Sequence, residues 1–149
     1  MNAYDWGSAS DNEALIYEEV HAVFSRLQGD FPRLRFSFEG LGGKAGSIYC
    51  DICAQIRCAD VVIFNLSTNN PNVIFELGLA VGFGTHVFVL RSTHYQRRKG
   101  VSDLNGILEH RFSRRGGGMK FQADFPRSLE RTLRHVAQER LEQLAQAGA

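Results

Sequence analysis

The apolar positions fall into two rhythms that alternate along the chain. Leu15, Ile16, Val20, Val23, Phe24 and Leu27 recur three and four residues apart and predict a helix from Asn12 to about Gln28. Gly29-Asp30-Phe31-Pro32 ends it. Leu34, Phe36 and Phe38 then alternate with polar residues, the period of a strand with one covered face. Ile48, Ile52, Cys53 and Ile56 put an apolar face on a second helix, Ser47 to Cys58. Val61-Val62-Ile63-Phe64 and Val87-Phe88-Val89-Leu90 are unbroken apolar runs of strand length, the pattern of strands covered on both faces. Between them Pro71 to about Phe83 reads as a helix, with Asn70 as N-cap, Pro71 in the first turn and Gly84 as the C-terminal cap. Ile107–Phe112 predicts a further strand, and Asn2–Trp6 a weak one at the start. Phe125 to about Ala145 is the last helix, with Leu129, Leu133, Val136, Leu141 and Leu144 on its apolar positions. Arg91–Gly106 and Ser113–Lys120 are polar and read as loops.

Strands alternating with helices predict an α/β fold: a doubly wound, flavodoxin-like or Rossmann-like sheet of about five parallel strands with helices on both faces. The 149 residues suit a single domain, 1–149. In an open parallel sheet, ligands bind beyond the carboxyl ends of the strands. Four loops are expected to meet there: Gly7–Asp11, Gly40–Gly46, Asn65–Asn72 and Arg91–Lys99.

Composition narrows the partners. A formal net charge of +1 gives no global field toward a nucleic acid polymer or a membrane surface. No apolar run approaches the roughly 18 residues that span a bilayer. No basic-then-apolar leader opens the chain, so it reads as cytoplasmic. Cys50, Cys53 and Cys58 lack a second pair or a nearby His to complete a zinc set, and read as reduced, packed thiols. No metal and no cofactor is assigned.

Against this background one residue stands out. Glu76 is the only Asp, Glu, Lys or Arg between Asp60 and Arg91. Its neighbours three and four positions away are Val73, Asn72, Leu79 and Ala80, so no local cation pairs with it. A carboxylate in so apolar a run is costly unless something requires it. Asn72, one turn earlier, shares its helix face. A carboxylate on a ligand rim serves as nucleophile, general base or electrostatic partner. Glycosidic chemistry uses such groups because its transition state carries positive charge on the sugar. The Ser67-Thr68-Asn69-Asn70 stretch offers donors and acceptors to a hydroxyl-rich ligand. Arg97-Arg98-Lys99 and Arg114-Arg115 read as solvated loop charges, and the five histidines are scattered, His94 lying closest to the expected rim.

Several segments together resemble the nucleoside 2-deoxyribosyltransferase-like superfamily. They are Ala59-Asp60-Val61-Val62-Ile63-Phe64-Asn65-Leu66-Ser67, then Asn70-Pro71-Asn72-Val73, then Phe75-Glu76-Leu77-Gly78-Leu79-Ala80. Ile16-Tyr17, Asp51-Ile52, Ile56-Arg57 and Ser102-Asp103-Leu104 fit the same pattern. That superfamily includes 2'-deoxynucleoside 5'-phosphate N-glycosidases and TIR-like nucleotide-binding proteins of bacterial defence. The resemblance implies a flavodoxin-like fold and places Glu76 at the catalytic glutamate of a Glu-Leu-Gly motif. It implies cleavage or transfer at the N-glycosidic bond of a nucleoside or nucleotide. Asn65, Asn70 and Asn72 would position the sugar, Ser67 and Ser92 would line the site, and Gly7 and Ser8 would approach the base or phosphate. The family strand usually ends in Asp-Leu-Thr where this chain has Asn65-Leu66-Ser67, which removes a charge. The alternative is a TIR-like nucleotide sensor or NAD-cleaving module acting through oligomerisation. The helix around Glu76 is apolar nearly all round, and relatives often assemble, so a homodimer or larger homo-oligomer is expected.

Overall fold

The computed structural model describes residues 10–40, 48–67, 70–93, 109–115, 118–122 and 124–148. In chain order they form α1 (Ser10–Asp30), α2 (Ile48–Cys58), β1 (Val61–Asn65), α3 (Pro71–Gly82), β2 (His86–Ser92), β3 (Glu109–Arg115), β4 (Gly118–Phe121) and α4 (Phe125–Ala147). The four strands make one open sheet in the order β1-β2-β3-β4. β1 and β2 are parallel, with Ile63 opposite Phe88. β2 and β3 are parallel, with Leu90 opposite His110. β4 runs antiparallel to β3, with Phe112 opposite Phe121.

Two strands expected from the sequence do not appear among these four. Asn2–Trp6 lies outside the described residues. Leu34–Phe38 joins no ladder among the described residues. Its three apolar side chains nonetheless pack on α1, as an alternating pattern should: Tyr17 and Phe38 have ring centroids 4.8 Å apart, and Phe24 and Phe36 are at 5.7 Å. The expected loop at Ser113–Lys120 is instead a hairpin. β3 runs on to Arg115, which pairs with Gly118 across residues 116 and 117. A two-residue Gly-Gly connection between strand-like runs is a hairpin signal, and it outweighs the polarity of Arg114-Arg115.

The pleat sends alternate side chains of β1 and β2 into two cores. Ile63, Phe88, Leu90 and Phe112 pack with Ile16, Val20, Val23 and Leu27 of α1 and with Phe125, Leu129 and Leu133 of α4. Val62, Phe64 and Val89 pack with Ile52 and Ile56 of α2 and with Val73, Leu77 and Ala80 of α3. Both faces are thus covered by helices, which is why the two apolar runs carry no polar alternation. Of the three free cysteines, Cys50 and Cys58 are exposed rather than packed as the helical pattern implied, and Cys53 is half-buried. Among the described residues no helix is long and apolar enough to cross a membrane.

The connection that matters for function is the short one from β1 into α3. Asn70 caps the helix: its Oδ1 accepts from the Asn72 N–H at 3.0 Å, while Pro71 fills the first turn, where no intrahelical donor is needed. At the other end Gly84 takes φ 73°, and the Thr85 N–H reaches back to the Ala80 carbonyl at 3.0 Å. That left-handed residue ends the helix and turns the chain into β2.

A buried ion pair fixes β2 against β3. The Arg91 guanidinium lies 3.0 Å from Glu109, and both side chains are almost wholly buried. Glu109→Ala, which leaves the guanidinium buried without this carboxylate, is expected to lower unfolding stability by roughly 3–5 kcal/mol. The double change Arg91→Met with Glu109→Leu should cost much less. Urea denaturation of the two variants checks this; equal losses would show that the pair is not the source of the effect.

Candidate functional site

α3 leaves the carboxyl end of β1 and returns along the sheet, so its first two turns stand at the carboxyl rim. Its buried stripe is Val73, Glu76, Leu77 and Ala80, spaced three, four and seven residues from the first. Glu76 therefore sits on the face that packs on the sheet, in a stripe otherwise apolar. Only 3 % of its surface is exposed. Its Oε2 has no hydrogen-bond partner among the described residues. Burial pushes its carboxyl above the usual range, because the charged form loses its hydration. Asn72, expected on the same face, is exposed, so the two side chains straddle the margin of the buried stripe.

The other expected site residues separate into three groups. Asn65, Ser67 and Ser92 are brought together. Ser67 donates to Asn65 Oδ1 twice, from its backbone N–H at 3.1 Å and its hydroxyl at 2.6 Å. The same hydroxyl accepts from the Ser92 N–H at 2.9 Å. This network laces the end of β1 to the end of β2, and it occupies the Asn65 carbonyl oxygen with the chain itself. Asn70 and Asn72 form the helix start, Asn70 as the cap. Gly7 and Ser8 lie outside the described residues, as do His94 and Arg97-Arg98-Lys99. Arg114 and Arg115 belong to β3 rather than to a loop.

Two buried residues at or near the rim were not singled out from the sequence. Arg91 was read as the start of a polar loop. It is buried at the end of β2, and its Nη1 donates to the Leu66 carbonyl at 2.9 Å. The usable signal was its position directly after the apolar run Val87–Leu90. His110 is also buried, between the rings of Phe88 and Phe125, with centroids 5.6 Å from each. Burial pushes its imidazole below the usual range, which keeps it neutral. It belongs to the core shared by α1 and α4, whereas Glu76 lies on the opposite face with α2 and α3. The sheet separates them, so they do not act as an acid–base pair.

Among the described residues no cluster of three His, Cys, Asp or Glu side chains is placed to hold a metal ion. A groove of about 430 Å³ lies elsewhere, between residues 34–40 and the first half of β1, and Glu76 does not line it. No protein-family model matches the chain, and no curated protein or solved structure matches it either.

The raised carboxyl has a consequence for stability. The folded state holds the Glu76 proton more tightly than the unfolded state does. Folding is therefore penalised as pH rises above the unfolded carboxyl value near 4.5, and the penalty is absent below it. An unsatisfied buried polar atom costs roughly 1–3 kcal/mol. Glu76→Met is expected to be more stable than the wild type by about that amount at pH 7. The gain should shrink toward zero as pH falls to about 4. Thermal unfolding across this range checks it; a gain independent of pH would mean that the carboxylate charge is not responsible.

Proposed function

We propose that this chain cleaves or transfers at the N-glycosidic bond of a nucleoside or nucleotide, on a flavodoxin-like sheet, with Glu76 as the carboxylate that meets the sugar. One observation carries the reading: a desolvated glutamate with an unpartnered oxygen on the helix that starts at the carboxyl rim of parallel strands. The parallel β1, β2 and β3 and the helices on both faces support the fold. The resemblance around Asn70-Pro71-Asn72-Val73 and Glu76-Leu77-Gly78 supplies the bond.

The chemistry follows from the charge balance. As the bond between C1' and the base nitrogen breaks, the electron pair leaves with the base and positive charge builds on the sugar. A carboxylate in a water-poor site is stabilised by that charge far more than it would be in water. The interaction is strongest in the transition state, so it lowers the barrier rather than merely tightening binding. Glu76 then bonds to C1' or screens it until water or a second acceptor arrives, and the departing base takes up a proton. The exposed amide of Asn72, at the margin of the same stripe, contacts a sugar hydroxyl. Ser67, Asn65 and Ser92 hold the rim in place through their own hydrogen bonds.

A second reading is favoured by one observation. The Asn65 carbonyl oxygen is spent on Ser67, so the rim offers fewer free polar groups to a ligand than the sequence implied. In that reading the same rim senses a nucleotide without turnover and signals through assembly.

Chromatography of the protein incubated with nucleosides, deoxynucleotides and NAD separates the two readings. Base release that falls by on the order of 10²–10⁴-fold in Glu76→Gln is expected for the enzyme. Release at the wild-type rate in that variant would sink the assignment to Glu76. A nucleotide that raises the melting temperature with no base released would favour the sensor.

Assembly is proposed on the outer face of α3, where Phe75 and Val81 are each 54 % exposed and Phe83 47 %. Large exposed apolar side chains on one helix and its C-cap mark an interaction surface. Light scattering after size exclusion is expected to give a dimer or larger species, and Val81→Asp should shift it to monomer. A wild-type monomer at high concentration would overturn the assembly.

A further inference from the structure

The thiols of α2 are reactive groups that the proposed reaction leaves unused. Cys50, Cys53 and Cys58 are all free and all lie on this one helix, which fixes which of them can meet. Three residues apart, Cys50 and Cys53 have Cα atoms roughly 5 Å apart, inside the span of about 4.4–6.8 Å that a disulfide bridges. Cys58 stands five residues after Cys53 and eight after Cys50, roughly 9 Å and 12 Å away, too far to bridge without moving backbone. The two that can meet also differ in access: Cys50 is exposed and Cys53 half-buried. An attacking thiol needs access to solvent, whereas a resolving thiol needs only to reach its neighbour.

The helix makes a bond between them reversible. Side chains three apart on a helix have Cβ atoms roughly 5–6 Å apart, and a disulfide needs about 3.5–4.5 Å. Closing the bond therefore tightens the start of α2, where Cys50 is the third residue. A first turn has the fewest intrahelical bonds to lose, so it is the part that yields. A strained, exposed disulfide is readily reduced again, which separates a reversible modification from a structural crosslink.

The pair stands at the carboxyl rim. Only Ala59 and Asp60 separate the end of α2 from the start of β1, so α2 ends at the amino end of the sheet and begins near the opposite end. Thr85 Oγ1, just past α3, donates to the Ile56 carbonyl at 3.5 Å, which sets the ends of the two helices side by side. Ile52, between the two cysteines, is 4 % exposed and shares a core with Val73 and Leu77 of α3.

We propose that Cys50 and Cys53 form a thiol–disulfide exchange site for a low-molecular-weight disulfide of the glutathione class. The Cys50 thiolate attacks one sulfur of that disulfide; a bond from Cys50 to glutathione forms, and the first glutathione leaves as thiolate. The Cys53 thiolate then attacks the Cys50 sulfur, the protein disulfide closes, and the second glutathione leaves. Two electrons pass from the cysteines to the glutathione disulfide, and the two protons the cysteines give up go to the departing thiolates. Closure draws on Ile52 and so on the packing of α2 against α3. The exchange stands on the thiols alone and does not depend on the proposed reaction.

Mass spectrometry of the full chain held in glutathione buffers of graded ratio tests it. Trypsin releases Ala45–Arg57, which carries both thiols and leaves Cys58 in the next peptide. That peptide is expected to lose two hydrogens at the oxidising end and regain them with dithiothreitol, in the wild type and in Cys58→Ser alike. Cys53→Ser should stop at a glutathione adduct on Cys50, and Cys50→Ser should react on the order of 10-fold more slowly than the wild type. The Val73 and Leu77 amide resonances should shift on oxidation of the wild type and stay in place in Cys50→Ser. Two free thiols in Ala45–Arg57 under a large excess of glutathione disulfide overturn the proposal. So does a bond from either cysteine to Cys58 or to a second chain. Reaction of Cys50→Ser at the wild-type rate overturns the order of attack, and a disulfide that leaves Val73 and Leu77 unmoved overturns the link to α3.

Discussion

A guanidinium buried at the end of β2 holds the carboxyl end of this sheet together. Arg91 reaches the last turn of chain after β1 through the Leu66 carbonyl and reaches β3 through Glu109. A charge this deep is tolerated only when its donors are met, and here they are met by two different strands. The arrangement cannot slip by a residue without stranding the charge. The Ser67 hydroxyl adds a second tie from β1 to β2, one bond away in the same layer. Because the end of β1 is fixed twice, the short connection to α3 starts from a fixed point, and the helix carries Glu76 to one place.

Glu109 and Glu76 show what that placement means. Both are carboxylates taken out of water at the same end of the sheet. Glu109 has Arg91 at 3.0 Å, and Glu76 leaves an oxygen without any partner among the described residues. A fold that can bury a carboxylate with its cation 3.0 Å away has no structural need to bury one without. Sites that violate local rules with no compensating contact are where function is expected, because the missing partner is supplied by the ligand. The positive sugar of a glycosidic transition state is such a partner, transient and matched in sign.

The sequence was most legible where one force decides. The α3 boundaries followed from Asn70, Pro71 and Gly84, whose backbone preferences act locally whatever surrounds them. The buried runs at Val61–Phe64 and Val87–Leu90 were legible because cover on both faces leaves no polar alternation. Glu76 was conspicuous for the complementary reason, a charge where the pattern allows none. Legibility failed where partners are distant in sequence. Arg91 looks like a loop residue until Glu109, eighteen positions later, is placed beside it. Asn65 and Ser67 looked like free ligand contacts, and short hydrogen bonds between them turned both into scaffold. Leu34–Phe38 had the right alternation for a strand, but a ladder needs a neighbour, and alternation says nothing of which segment that is.

α3 carries three demands at once, and its 3.6-residue period keeps them apart. Val73, Leu77 and Ala80 form the buried stripe. Glu76 sits at 300° from Val73, beside that stripe and within its cover. Phe75 projects from the outer side, roughly 140–160° away from the stripe, and Val81 from its flank, roughly 40–100° away. A partner laid on Phe75 and Val81 would thus bury apolar surface without touching Glu76, and a ligand at Glu76 would not contest that surface. The two are still coupled, because both hang on the same rigid cylinder anchored by Asn70 and Gly84. Assembly that shifts the helix along its axis moves the carboxylate by the same distance. In the proposed reaction the carboxylate oxygen must come within bonding reach of one carbon, so a shift well under one helical turn would be enough to switch it. The bare glycines Gly78 and Gly82, exposed beside Phe75, let another surface come close to the helix backbone where such a shift would be imposed.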